Sequence, residues 1–314
     1  MGKTLSTRMA FGEELLKIAE TNENFVVCNA DTKTCGLEKF GQRFPEREFS
    51  FGIAEQDLVG SAAGLAACGN KVFLATFATF ASMRACEQVR TFVCHPNLNV
   101  TIIGTHAGLQ VGGDGATHAA IEDVAIMRAF PNMTVVQPAD AVAARAIAHA
   151  AVDFTGPLYV RLHRNPVDDV YDGKYQFSFG KAHTAAEFGT DLTMIVSGIL
   201  LGKALEAAAR LNAMGIGVRV LDMATIKPLD SGAVLSAARE TGAIMTIEDH
   251  TVLGGLGAAV AEVVVQNCPV PMVLVGIQDR FGESGDPELL YRDHGMDTDS
   301  IVAKALALVK RKEG

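Results

Sequence analysis

Short apolar or β-branched runs recur along the chain at FVVCNA, KVFLATF, NVTIIGT, MTVVQP and PLYVRL, and amphipathic stretches separate most of them. Such runs predict buried strands, and helices between them predict a parallel sheet covered on both faces. The rhythm breaks at about 165 to 190, where NPVDDVYDGKYQFSFGKAHTAAEFGT brings Pro, Gly and clustered Asp without a helical period. That composition suits a linker and an edge segment. Alternation then resumes with LTMIVSG, a helix from Leu201 to Met214, GVRVLDM, a helix after Pro228, AIMTIED, a helix after Gly257, PMVLVGI and a last helix. The expected fold class is α/β, with two three-layer domains built on mainly parallel sheets. Their expected bounds are 1–165 and 189–314, with a linker over 166–188.

Composition narrows the function classes. At 314 residues and 49% hydrophobic content, the chain has enough apolar mass for two cores. A net charge of -9 without Lys/Arg runs argues against a nucleic-acid partner, because such binding leans on clustered positive charge. The opening MGKTLSTRMA lacks an apolar signal core, and no run approaches the ~18 to 20 residues that span a bilayer. No membrane partner and a cytoplasmic location are therefore expected. The six cysteines, at 28, 35, 68, 86, 94 and 268, show no C-x-x-C spacing, which predicts reduced thiols and no structural zinc.

Three segments could carry chemistry. FGIAEQDLVG places Glu55 where an apolar strand runs into a small-residue helix, and an acid in a first helical turn has a plain explanation in the helix dipole. TFATFASMR spaces Phe77, Phe80 and Met83 by three, a pattern that by itself reads as the buried face of a helix. THAGLQVGGDGATHAAIED is a glycine-rich loop holding His106, Asp114 and His118. Loops of this kind at the carboxyl ends of parallel strands are where α/β proteins bind ligands. No metal site is expected there, since the histidines lack a tight spacing and glycines separate them.

GIAEQ, TFATF, HAGLQVGGDGATH, IEDVAIMRAFPNM, QPAD, GPLYVRLHRNP, TIKPLD, IEDH and GGLG occur in the order seen in transketolases. Over nearly its whole length the chain resembles the carboxyl half of a full-length transketolase, the pyrimidine-binding domain followed by the C-terminal domain. The resemblance implies one subunit of a split enzyme. The GDG at 113–115 followed by Asn132 imitates the signature with which thiamine diphosphate enzymes hold magnesium and pyrophosphate, but its gap is too short.

The resemblance also implies roles. Glu55 matches the acid that hydrogen-bonds N1' of the thiamine diphosphate aminopyrimidine and promotes its imino tautomer. Phe77 and Phe80 match the aromatics that pack on that ring. Met83 stands where many transketolases have Tyr, and Asp31 matches an acid near the cofactor. Arg8, His106 and Arg164 match positions that contact the substrate's terminal phosphate, while Asp114 and His118 match contacts to the sugar's first hydroxyls and carbonyl oxygen. Glu55, His118 and His106 are the expected catalytic residues. Ala119 replaces the Gln common after that His, which puts one supporting hydrogen bond in doubt. The family's phosphate-binding serine has no secure counterpart at Thr34 or Cys35, and no catalytic role falls to His250.

The expected activity is transfer of a two-carbon ketol unit from a ketose, phosphorylated or carrying another terminal anion such as sulfonate, to an aldose. Thiamine diphosphate and Mg²⁺ are the implied cofactors. The metal's ligands are expected on a partner, an N-terminal transketolase subunit carrying the pyrophosphate-binding domain, with two copies of each chain. Other readings are a beta-type subunit of a 2-oxoacid dehydrogenase, a 1-deoxyxylulose 5-phosphate synthase-like enzyme, and a non-catalytic subunit that stabilises a partner.

Overall fold

A computed structural model describes residues 5–32 and 36–313, the side chain of Glu313 excepted; Thr34 and Cys35 lie outside the described residues. The first half alternates α1 (Thr7–Ala19), β1 (Phe25–Asn29), α2 (Phe40–Arg43), β2 (Glu48–Ser50), α3 (Glu55–Ala67), β3 (Lys71–Phe77), α4 (Cys86–Gln88), β4 (Val100–Thr105), α5 (Asp123–Ala129), β5 (Thr134–Val136), α6 (Ala141–Asp153) and β6 (Leu158–Arg161). The second half adds β7 (His183–Glu187), β8 (Leu192–Val196), α7 (Leu201–Ala213), β9 (Val218–Asp222), β10 (Thr225–Lys227), α8 (Ser231–Thr241), β11 (Ile244–Thr251), α9 (Leu256–Asn267), β12 (Met272–Ile277), α10 (Pro287–Asp293) and α11 (Thr298–Glu313). Among the described residues no helix is long and apolar enough to cross a membrane.

Seven strands form the first sheet in the order β10-β5-β6-β4-β3-β1-β2, and five form the second in the order β12-β11-β8-β9-β7. Both are parallel except at one edge each, where β10 runs antiparallel to β5 and β7 antiparallel to β9. Every residue of β4 and β8 is buried. Helices cover both faces of such strands, so their sequences read as continuous apolar runs rather than alternating ones. The stretch expected as linker and edge segment ends in β7, the edge of the second sheet. Unanticipated was β10, a strand from the second half of the chain that completes the first sheet.

The two halves meet across the end of β11. The backbone N–H of Thr251 donates to the carbonyl of Ile121 at 2.8 Å, and that of Ala125 to His250 Nε2 at 3.3 Å. Glu248, one residue upstream of Asp249, holds the start of α9 by accepting from the backbone N–H groups of Leu256 and Gly257, each at 2.7 Å. A carboxylate there meets the positive end of the helix and two of its orphan donors. Gly257 is required by space, since a Cβ on it would lie 2.7 Å from Leu274.

Beneath this seam, Arg161 on β6 gives Nε to Asp123 Oδ2 at 2.8 Å and Nη2 to Oδ1 at 3.0 Å, with both side chains fully buried. Removing one member of a buried pair leaves the other charge uncompensated. Asp123→Ala should therefore lower stability by about 3 to 5 kcal/mol. The expected signature is a lower urea midpoint at an unchanged slope, with circular dichroism still reporting α/β structure.

Candidate active site

The parallel strands β1, β3, β4 and β6 all point their carboxyl ends to the same edge of the first sheet. That edge is where chain leaving each strand can place side chains around a common crevice. Asp31 follows β1, Phe77 ends β3, His106 follows β4, and Arg164 follows β6. Two of these turns use a left-handed backbone at a non-glycine residue, Asp31 at φ 56° and His106 at φ 60°. Such conformations cost energy and concentrate at functional sites. At Asp31 the turn is secured by its own N–H donating to Asn29 Oδ1 at 2.9 Å.

Glu55 is the first residue of α3 and only 1% exposed. Its carboxylate lines a cavity of about 600 Å³ with Asp31, Thr32, Ile53, Phe77, Phe80 and His118. The Phe77 and Phe80 rings lie 5.8 Å apart and stacked at 23°. His118 meets both edge-on, at 5.9 and 5.3 Å, and the His106 ring sits 4.1 Å from Phe77. A buried acid beside two parallel aromatic faces can hold a flat nitrogen heterocycle, the rings orienting it and the acid hydrogen-bonding its edge.

Met83, expected in the ring clamp, does not line this cavity and is 43% exposed. The reason is the local helix form: residues Phe80–Arg84 make a π-type turn, wider than the α-helix. In it, Arg84 rather than Met83 returns to the cavity. Its guanidinium lies 4.0 Å from the Phe80 ring centroid, and Nη1 donates to Glu55 Oε2 at 2.8 Å. Arg84 was not anticipated from the sequence. The only signal for it is its place four residues after Phe80.

A second group of charges flanks the first. Arg8, in the first turn of α1, donates Nε to the carbonyl of Arg164 at 3.1 Å. Arg164 donates Nη1 to the carbonyl of Val111 at 2.7 Å and meets Asp114 Oδ2 at 3.3 Å. Asp114 lies exposed on the glycine-rich loop, and His118 Nδ1 is 2.9 Å from Thr117 Oγ1. His106 is 3% exposed, and its Nδ1 lies 2.9 Å from Thr105 Oγ1. Burial, reinforced by Arg8, Arg164 and His118, pushes its imidazole down to about 3. Arg8, His106 and Arg164 thus gather as two cations and a neutral donor, a set able to hold a terminal anion. Among the described residues no group of three or more His, Cys, Asp or Glu is arranged to hold a metal ion.

Comparison with known proteins agrees on one family. The model for the transketolase pyrimidine-binding domain matches residues 3–168, and that for the transketolase C-terminal domain matches residues 180–301. The chain is 40% identical to the 6-deoxy-6-sulfo-D-fructose transketolase subunit of Clostridium sp. (strain MSTE9), covering 97% of this chain and 95% of that one. It is equally 40% identical to an apulose-4-phosphate transketolase subunit of Phocaeicola vulgatus, over 98% of both. Among solved structures, one described as a split gene transketolase, inactive beta4 tetramer, superposes with a TM-score of 0.91 at 45% identity, covering 98% of this chain and 100% of that one.

Two measurements probe the site without any ligand. Unfolded imidazole binds a proton near its ordinary 6.5, whereas His106 in the folded chain does so only near 3. The stability this represents is complete above about pH 6.5 and lost as pH falls toward 3. His106→Asn should make the acid limb of the stability profile shallower by about 1.4 kcal/mol per pH unit in that window, read by urea unfolding at successive pH values. The Arg84–Glu55 pair should show in a double-mutant cycle with Arg84→Met and Glu55→Gln. Because the Arg84 side chain is 46% exposed, a coupling of about 1 to 2 kcal/mol is expected after allowing for solvent screening.

Proposed function

The chain belongs to the transketolase family, and on that footing we propose that it is the subunit of a split transketolase that supplies the pyrimidine-binding and sugar-binding side of the active site. The observation that carries this reading is the buried Glu55 carboxylate facing the stacked Phe77 and Phe80 across one cavity. Thiamine diphosphate, when bound, supplies the carbon nucleophile that transfers a two-carbon ketol unit from a ketose to an aldose. Glu55 would hold the aminopyrimidine edge by a hydrogen bond between its carboxyl group and the ring nitrogen, with Arg84 beside it at Oε2. Phe77 and Phe80 orient the ring and keep water from it. Asp31 borders the same cavity.

His118 and Asp114 are assigned to the first hydroxyls and carbonyl oxygen of the sugar. His106, held neutral, can donate or accept a single hydrogen bond there without adding charge. Arg8 and Arg164 are assigned to the terminal anion, which fixes the far end of the chain and so aligns the reacting end. Phosphate and sulfonate both suit two guanidinium groups. The substrates in the names of the two relatives, 6-deoxy-6-sulfo-D-fructose and apulose 4-phosphate, carry one each.

A partner completes the site in this proposal, contributing the pyrophosphate-binding domain and the Mg²⁺ ligands, with two copies of each chain. Relatives of nearly the same length are named as subunits. Ile53, on the cavity wall, is 78% exposed, and a Cβ on Gly60 or Gly64 of α3 would meet no described atom within 4 Å. Small residues on an open helix face permit another helix to approach closely.

The test is reconstitution. The chain alone should turn over no ketose. With its N-terminal partner, cofactor and Mg²⁺, it should transfer from at least one of D-fructose 6-phosphate, 6-deoxy-6-sulfo-D-fructose or apulose 4-phosphate, and not act on 2-oxoacids. Glu55→Gln should reduce turnover by roughly 10² to 10⁴ while the fold persists. Arg164→Ala should raise KM for the anionic ketose well beyond the change from Arg239→Ala on the exposed surface. Full activity of the chain alone, or of Glu55→Gln, would refute the proposal.

A further inference from the structure

We propose that the second half of the chain acts on the substrate site through Asp249, a positioning residue that clamps the glycine-rich loop carrying Asp114 and His118. The inference rests on the reading above that this loop meets the sugar. The loop from Thr105 to His118 contains four glycines, and glycine backbone loses more freedom on ordering than any other. Its single short helical segment, Gly108–Asp114, is interrupted at Gly112 by φ 66° and ψ -114°. Such a segment needs order imposed from outside.

Asp249 supplies it. The residue sits on β11 of the second sheet, is 1% exposed, and accepts the backbone N–H of Leu109 on Oδ1 at 3.0 Å. Its other oxygen accepts the hydroxyl of Tyr291, on α10, at 2.8 Å. A charged acceptor on a backbone donor makes one of the stronger hydrogen bonds. The approach is close enough to dictate sequence in the loop. Gly108 adopts φ 68°, and a Cβ on it would stand 2.1 Å from Asp249 Oδ2. A second contact lies further along, where the backbone N–H of Gly285 donates to the carbonyl of Gly112 at 3.4 Å and Ser284 comes close enough to Gly115 to leave no room for a Cβ. Asp114 and His118 therefore follow a segment that the second half bonds at Leu109 and at Gly112.

The same carboxylate lies near the other arm of the site without a hydrogen bond to it. His163 Nε2 lies 3.7 Å from Asp249 Oδ2, and His163 directly precedes Arg164. Of the residues on the loop only His118 lines the cavity beside Glu55, while Asp114 and Arg164 lie outside it, so the effect is expected to fall more on sugar binding than on cofactor binding.

Hydrogen exchange on the full chain tests the clamp without substrate or cofactor. Asp249→Ala should speed exchange of the amides in 107–114 by about tenfold, the factor carried by one charge-assisted hydrogen bond, while β1 and β3 exchange as in the unaltered chain. Asp249→Asn keeps a carbonyl oxygen for Leu109 but gives up the charge, and should speed the same amides by only about threefold. In the complex with the N-terminal partner, Asp249→Ala should raise KM for D-fructose 6-phosphate by about tenfold and leave the thiamine diphosphate Kd within about twofold. Unchanged exchange over 107–114 in folded Asp249→Ala, or a matching rise in cofactor Kd, would overturn the proposal. Should Asp249→Ala not fold, Tyr291→Phe removes only the hydroxyl that orients the carboxylate. It should speed the same amides by about threefold, and no change would equally overturn the clamp. If the unaltered complex turns over no ketose phosphate, the functional reading fails while the exchange data still decide the clamp.

Discussion

Asp123 and Arg161 hold together the parts from which the site is made. Taking two charges out of water costs several kcal/mol each, and the pair is favourable only with near-ideal geometry and every remaining polar atom well served. Here the guanidinium grips both carboxylate oxygens and gives a further bond to the carbonyl of Ala120 at 2.8 Å, and the Tyr159 hydroxyl donates to Asp123 at 2.7 Å, so that of the guanidinium nitrogens only Nη1 has no hydrogen-bond partner among the described residues. Burial, which alone would raise the Asp123 carboxyl, is outweighed by Arg161, and the acid is held below its ordinary range. The consequence is geometric. Arg161 ends the strand that leads to Arg164, and Asp123 follows the loop that carries Asp114 and His118. One ion pair fixes the distance between the two arms that would hold a sugar.

The parallel sheet sets what each position can do. Every strand that contributes to the site does so from its carboxyl end, so the side chains arrive on short, well-anchored turns rather than from free loops. Within that frame two environments differ in their use of charge. Around Glu55 a flat apolar pair faces an acid and its arginine partner. Around His106, burial beside two arginines keeps an imidazole uncharged. The first suits recognition of a heterocycle, the second a polar chain ending in an anion.

The second half of the chain is more than a neighbour. β10 crosses over to finish the first sheet, and the end of β11 presents Glu248, Asp249 and His250 in succession to three different tasks. Glu248 caps α9, His250 accepts from the backbone of α5, and Asp249 reaches the glycine-rich loop. Alternation along a strand sends neighbouring side chains to opposite faces, and a strand end at a seam can therefore serve both sides at once.

Much of this was legible in the sequence. Continuous apolar runs separated by helical periods marked the parallel sheets, because strands covered on both faces have no polar side to alternate with. Glu55, Phe77, Phe80, His106, Asp114, His118, Arg8 and Arg164 could be named from ordered motifs. The charged neighbour of Glu55 could not be named. The spacing of three read as a buried helix face and the resemblance alone put Met83 at the ring, whereas the π-type turn brings Arg84 to the cavity and leaves Met83 partly exposed. Arg84 against Glu55, β10 in the first sheet and Asp249 on Leu109 join positions 29, 89 and 140 residues apart, counted from 84 − 55, 225 − 136 and 249 − 109. Periodicity and turn chemistry are local signals, carried by residues a few positions apart. The chain alone determined which segments are strands and helices and which residue types could do chemistry. Contacts at long separation are decided by how those segments pack, and only the tertiary structure chose the partner of each buried charge.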